Sequence, residues 1–175
     1  MRRLKTITAS AFLLAILAVP TILRSQSTTV VPHESETRTQ IQSQLPDSEI
    51  NCMADAIYYE AGHESIEGQE AVGRVIKNRV RHGFSKTVCG VVNQGAGTKY
   101  CQFKFRCVNH PTPPLPKLYI HCRELAKQIL LEDKYSQVVP KTALFFHAKY
   151  VRPVWPHYKQ VTEIGNHVFY AKLGK

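Results

Sequence analysis

The feature that most constrains the fold is a pair of amphipathic segments joined by the stretch from Ile57 to Ser65. In the first segment Ile50, Ala54 and Ile57 recur at intervals of four and three residues, which places them on one face of an α-helix. Glu60 continues this stripe, so we expect its carboxyl group to project from the buried side at the helix end. An acid held away from water stays protonated near neutral pH. The pattern therefore predicts a proton donor; the alternative is a solvated glutamate at a frayed terminus.

The second segment predicts a helix that begins after Ser65 and ends before Gly83. Between them, Gly62 is expected to end the first helix near Ala61. Basic side chains gather toward the end of the second helix, where they complement the helix dipole. Its apolar stripe, with a period of 3.6 residues, consists of Ala71, Val72, Val75, Ile76 and Val80.

Shorter elements are predicted in the rest of the chain. Residues 87–92 are apolar enough for a strand or a buried turn, and residues 118–131 predict a third helix. Strict alternation over 100–107 predicts a strand, and two more strands are predicted at 143–147 and 166–170. The pattern indicates an α+β domain, with helices and a small antiparallel sheet.

The start of the chain predicts export. Residues 1–25 combine a basic start with an apolar run, which is typical of a signal peptide; an uncleaved inner-membrane anchor is the alternative. Residues 26–46 are rich in Ser, Thr, Gln and Pro and predict a disordered linker. The folded domain is therefore expected at 47–175, in the periplasm or the cell wall. The formal charge of the whole chain, +10, suits an acidic envelope polymer as partner, whereas export counts against nucleic acid.

The cysteines are expected to form disulfides in such an oxidising compartment, buried free thiols being the alternative. A strand over 100–107 would hold Cys101 and Cys107 about 20 Å apart, too far to bond to each other. With Cys122 as the spare, their partners would be Cys52 and Cys89, in an order that the sequence leaves open.

Among catalytic groups, a lone acid is the best candidate. His63 and Glu64 begin a zinc-protease pattern, but position 67 is Glu rather than His, and no tight metal-ligand spacing occurs elsewhere. No local signature of a Cys or Ser nucleophile is present. We interpret Glu64, Glu67 and Glu70 as charges at the start of the second helix, which leaves Glu60 as the inward acid. A single general acid suits sugar cleavage in which the substrate supplies its own nucleophile.

Several blocks along the chain resemble the spore cortex-lytic (SleB-type) cell-wall hydrolase family. They keep the order of that family over nearly all of residues 50 to 170. The blocks are AxAIYYEAGHExxEGQxAV at 54–72, VxxNRV at 75–80, TVCGVV at 87–92, CQFxFxC at 101–107, HAxYVxPxW at 147–155 and IGxHVFY at 164–170. One departure is that Gly62 and His63 stand where the family motif has Arg and Gly.

This resemblance implies a lysozyme-related, two-lobed domain that cleaves peptidoglycan as a lytic transglycosylase, with Glu60 as the catalytic acid. It implies no cofactor and no metal. The alternatives are a hydrolysing muramidase with a second carboxylate, or a module that binds peptidoglycan without cutting it. Residues expected to bind substrate in the cleft are Gln102, Phe103, His147, Tyr150 and Trp155. For Phe103 and Trp155, core packing is an equal alternative.

Overall fold

The computed structural model describes residues 45–108, 113–131 and 138–174. Over these ranges it contains helices α1 (Asp47–Ala61), α2 (Ile66–Arg81), α3 (Val88–Val92) and α4 (Pro116–Leu131), a 3-10 helix (Lys104–Arg106), and strands β1 (Phe145–Ala148), β2 (Tyr158–Ile164) and β3 (His167–Lys172). The predicted α+β class, with helices and a small antiparallel sheet, is confirmed. The predicted signal segment 1–25 and nearly all of the predicted linker 26–46 lie outside the described residues. No helix in the described ranges has the length and apolar character needed to cross a bilayer.

Helix α2 lies between two apolar cores, and this arrangement produces the two lobes. Val72 and Ile76 pack into the first core, with α1, α3 and α4. Ala71 and Val75 pack into the second core, with Ile164 and the sheet. All four side chains of α2 are completely buried, so this helix contributes apolar surface to both lobes.

Gly73 allows the helices to approach one another closely. A Cβ atom at this position would lie 2.5 Å from Ile129 Cδ1 and 3.2 Å from Ile57 Cδ1. Because Ile129 belongs to α4 and Ile57 to α1, a larger residue at this position would force these two side chains to shift where the three helices meet.

The ends of the first two helices lie where the sequence predicts them. Helix α1 ends at Ala61, and Ser65 caps α2 because its Oγ accepts a hydrogen bond from the Gly68 N–H at 3.2 Å. Gly62 has helical backbone angles, which any residue can adopt. Glycine is required there because a Cβ atom would overlap the carbonyl oxygen of Tyr58. Segment 87–92, predicted as a strand or turn, is the short helix α3.

The strand predicted over 100–107 is wrong. Residues 104–106 form a 3-10 helix, and Cys101 is bonded to Cys107 with their Cα atoms 5.5 Å apart. The turn still buries Phe103 and Phe105, which are 2% and 4% exposed, so the alternation reflected burial without an extended backbone. Arg106 fixes the turn to α1 through an ion pair with Asp55 at 2.7 Å. Local closure of a six-residue loop thus prevails over strand propensity.

The disulfide pairing predicted across these cysteines is therefore wrong, although the four bonded residues are the expected ones. Cys52 of α1 pairs with Cys89 of α3, with a Cα–Cα distance of 5.2 Å. Cys122 is free and buried, as expected for the spare.

The sheet has the antiparallel order β1-β3-β2. Predicted strands 143–147 and 166–170 correspond to β1 and β3, displaced toward the C-terminus by one or two residues. Strand β2 was not predicted, because most of its side chains are at least partly exposed and lack a clear alternation. Helix α2 holds the segment before β1: Asn78 Nδ2 donates to the carbonyls of Pro140 and Ala143 at 3.1 and 3.0 Å, and Arg79 Nε donates to that of Leu144 at 2.7 Å.

Candidate active site

A cavity of about 750 Å³ lies between the end of α1 and the sheet. Glu60 lines it from α1, and residues 102–104 form one wall. Another wall comes from residues 146–151, the turn before β3 contributes Asn166, and the first residue of β3 contributes His167. The cavity therefore collects side chains from both lobes around the end of α1.

The environment of Glu60 favours its protonated form. Burial raises the pKa of this carboxyl, and the nearby positive charges of Lys104 and Arg79 lower it by less. No hydrogen bond contributes to the shift. A carboxyl group whose pKa is raised holds its proton more firmly, which is the direction of shift that a general acid requires.

Glu64 also lines the cavity, in the opposite electrostatic state. Hydrogen bonds from the backbone N–H and then the side-chain amide of Asn166, with the charges of His167 and Lys149, hold the pKa of Glu64 below its usual range. Glu64 immediately precedes Ser65, the N-cap of α2, as its interpretation as a charge at the helix start requires, and the hydrogen bonds from Asn166 are a further role that the sequence did not indicate. Two carboxyl groups with pKa values displaced in opposite directions resemble an acid and base pair.

Gln69 fixes the loop that follows Glu60. Its Nε2 donates to the carbonyls of Gly62 and Glu64, both at 3.2 Å, and its Oε1 accepts a hydrogen bond from His121 Nε2 at 3.0 Å. Gln69 itself is 4% exposed, so its side chain is held inside the protein with both ends of its amide hydrogen-bonded. In the sequence, the signal for these hydrogen bonds was that Gln69, a polar residue, occupies an inward position of α2.

His147 is oriented by its neighbours. Its Nδ1 donates to the Ala148 carbonyl at 2.9 Å, and its Nε2 forms a hydrogen bond with the Tyr170 hydroxyl at 3.0 Å. Its ring stacks on that of Tyr170 at 5.2 Å and meets Trp155 edge-on at 5.4 Å. The imidazole is thus held in one orientation at the cavity wall.

The predicted binding residues separate into two groups. Gln102, Phe103, His147 and Tyr150 line the cavity, and Trp155 is absent from the described residues that do so, although it contacts His147. Tyr150 is 86% exposed and available to a ligand, whereas Phe103 is 2% exposed and belongs to the core. Gln102 and Phe103 are positioned by the disulfide-closed turn rather than by a strand.

Further cavity residues escaped the sequence interpretation. Arg79 is 2% exposed, and burial lowers the pKa of its guanidinium to about 10. His167 is 6% exposed, and burial lowers its pKa. Arg79 follows Val75 by four residues and Ile76 by three, so a basic residue on the apolar stripe was the available signal.

A protein-family model described as Cell Wall Hydrolase matches residues 63–170, which is more than half of the chain. The chain belongs to the cell wall hydrolase family. The matched span contains Glu64, Arg79 and His147, and it begins three residues after Glu60. The role of Glu60 therefore depends on its environment in the cavity and on the resemblance of the surrounding motif.

The fold of this cell wall hydrolase is shared with a solved structure, the crystal structure of the catalytic domain of the Bacillus cereus SleB protein. The two are 23% identical with a TM-score of 0.54, and the alignment covers 71% of this chain and 91% of the other. The predicted lysozyme-like fold is confirmed. A search of curated proteins gave no significant match.

Proposed function

We propose that this cell wall hydrolase cleaves peptidoglycan glycan strands between N-acetylmuramic acid and N-acetylglucosamine, as a lytic transglycosylase with Glu60 as its acid and base. The observation that carries the proposal is the partly buried Glu60 carboxyl, which lines a cavity between two lobes and has a raised pKa. The family match supports an enzyme that acts on the cell wall. Export, by the segment predicted at 1–25, would place the enzyme where its substrate lies.

The reaction follows from one group that both gives and takes a proton. Glu60 donates its proton to the oxygen that links the two sugars, and the bond from this oxygen to C1 of the muramic acid breaks. The 6-hydroxyl oxygen of the same sugar then bonds to C1, and its proton passes to Glu60. The products are a 1,6-anhydromuramic end and a free 4-hydroxyl on the N-acetylglucosamine. The enzyme returns to its starting state with no water consumed.

The remaining cavity residues would hold the glycan strand. Tyr150 offers an exposed ring for contact with a sugar face, and His147 offers an imidazole of fixed orientation. Lys104 and Lys149 line the cavity and suit the carboxylates of the peptides that peptidoglycan carries. Two disulfides agree with an oxidising compartment outside the cytoplasm.

Glu64 supports a second candidate, a hydrolysing muramidase. Glu64, whose pKa is held below its usual range, shares the cavity with Glu60, whose pKa burial raises, and two-carboxylate glycosidases use such a pair. Against this, Oε1 and Oε2 of Glu64 each accept a hydrogen bond from Asn166. Such a carboxylate is less free to attack a sugar or to activate water. We therefore favour the transglycosylase.

Analysis of the products distinguishes these reactions. The full-length protein is incubated with purified sacculi in water enriched in oxygen-18, and the soluble muropeptides are measured by mass spectrometry. The transglycosylase yields 1,6-anhydro ends without the heavy isotope, whereas a muramidase yields reducing ends that contain it. Protein that sediments with sacculi but releases nothing would instead be a binding module.

A further inference from the structure

The guanidinium of Arg79 is held rigidly in the cavity wall. Its Nε donates to the Leu144 carbonyl at 2.7 Å. Three aromatic rings surround it, with centroids 5.4 Å (Phe145), 5.6 Å (Phe103) and 5.8 Å (Phe84) from its central carbon. Such contacts keep the planar group in one orientation without pairing its charge.

One nitrogen of this guanidinium lacks a hydrogen-bond acceptor among the described residues. Arg79 Nη1 is buried and has no hydrogen-bond partner among the described residues. No carboxylate in those ranges lies within ion-pair distance of Arg79, although Glu60 is close enough to affect its pKa. A buried donor without a partner is costly, and at the wall of a binding cavity it indicates a ligand that supplies the acceptor.

His167 gives a second observation of the same kind. Its Nδ1 is also buried without a partner in the described part of the chain, and it lines the same cavity. The imidazole can donate or accept according to its tautomer, so it does not define the ligand group. Arginine only donates, and it therefore specifies an oxygen that accepts.

We propose that Arg79 Nη1 binds the acetamido carbonyl of the amino sugar next to Glu60, so that Arg79 selects N-acetylated glycan. The inference rests on the proposed function, because it takes the glycan strand as the ligand. An amide carbonyl is a strong, uncharged acceptor, which suits a donor in a desolvated wall better than a hydroxyl that prefers water. Arg79 would in this way set the position of the sugar relative to the acid.

The test changes the acceptor atom on the substrate and the donor on the protein. Sacculi are N-deacetylated, and their amines are then either re-acetylated or thioacetylated, which replaces the carbonyl oxygen by sulfur, a weak acceptor. We expect the wild-type protein to release muropeptides about 10- to 100-fold faster from the re-acetylated sacculi. In Arg79→Met the ratio of the two rates, re-acetylated over thioacetylated, should fall to near one, because the donor is absent.

Arg106→Met is the matched control. Arg106 Nε is likewise buried without a partner, but Arg106 is not among the described residues that line the cavity. Loss of the Arg106–Asp55 ion pair can lower the overall rate on both substrates, but this variant should keep the wild-type ratio between them. A ratio near one for the wild-type protein, or a wild-type ratio in Arg79→Met, would overturn the inference. Failure to release products from untreated sacculi would instead contradict the proposed function.

A second measurement needs no variant and remains decisive if Arg79→Met does not fold. The guanidinium proton signals of Arg79 in the full-length protein are followed by nuclear magnetic resonance as sugar is added. They should shift with the tetramer of N-acetylglucosamine and stay unchanged with its thioacetyl counterpart. Equal shifts with both tetramers, or none with either, contradict the assignment.

Discussion

Glu64 and Asn166 connect the two sides of the cavity, since Glu64 Oε2 accepts from the Asn166 backbone N–H and Glu64 Oε1 accepts from its side-chain amide, both at 3.0 Å. Glu64 follows helix α1, and Asn166 lies in the turn between β2 and β3. The two residues are 102 positions apart in the chain. This contact therefore fixes the loop after Glu60 against the sheet.

Gly165 allows this contact, and replacing it should weaken the fold. Its φ is +55°, and a Cβ at this position would overlap Glu64 Oε2. Gly97 is a matched control, because its φ is +74° and no atom lies within 4 Å of a Cβ built there. Gly97→Ala should cost about 1–2 kcal/mol of unfolding free energy from backbone strain alone. Gly165→Ala should cost more, because Glu64 must also move; equal losses in urea unfolding would contradict the account.

Glu60→Gln should stabilise the protein near neutral pH. Burial raises the pKa of Glu60 in the folded state, so the folded state binds its proton more tightly than the unfolded chain does. The stability contributed by that proton is complete below the unfolded pKa of about 4.3 and is lost as the pH rises through the folded value. Glutamine does not titrate. The advantage of Glu60→Gln in unfolding free energy should therefore be small at low pH and grow toward pH 7; a constant difference would contradict the buried acid.

The two disulfides should differ in what their removal affects. The Cys52–Cys89 bond spans 37 residues and the Cys101–Cys107 bond spans 6. From loop entropy, replacing the first pair by serine should cost about 4 kcal/mol, and the second about 2 kcal/mol. The second pair closes the turn that carries Gln102 and Phe103, so its loss should reduce the release of muropeptides more than its cost in stability explains. Urea unfolding and activity, measured on both double variants, test this order.

Tyr150→Ala should weaken substrate binding and leave the stability unchanged. Tyr150 lines the cavity and is 86% exposed, so its ring contributes little to the core. Tyr100, which is 78% exposed and absent from the described cavity lining, provides the control. We expect Tyr150→Ala to lower the affinity for sacculi in a sedimentation assay by about tenfold, as loss of one stacking contact would. Tyr100→Ala should bind as the wild type does, and a similar loss in both variants would exclude a specific contact.

The sequence predicted the helices better than the sheet because burial in this protein follows helical periodicity. Helix α2 buries a wide apolar face, and both of its ends are marked in the sequence: Ser65 caps its start, and Gly83, with a positive φ, follows its end. Strand β2 buries little and gives no comparable signal. The strand predicted over 100–107 is wrong because a turn closed by a disulfide between near neighbours buries alternate residues without an extended backbone.

Within the site, periodicity located Glu60 but not the groups around it. A carboxyl on an inward stripe can be recognised from one helix alone. The hydrogen bonds from Asn166 to Glu64 and the rings around Arg79 join segments far apart in the chain, so they require the tertiary fold. The polar residues at inward positions, Gln69 and Arg79, mark where those long-range contacts form.

The rate at which Glu60→Gln releases 1,6-anhydro muropeptides from purified sacculi tests the central claim most directly. Glu67, an exposed glutamate near the start of α2, provides the control Glu67→Gln. Loss of a general acid should lower the rate about 10²- to 10⁴-fold in Glu60→Gln, while Glu67→Gln keeps the wild-type rate. Release of anhydro muropeptides by folded Glu60→Gln at the wild-type rate would contradict the assignment of Glu60 as the proton donor.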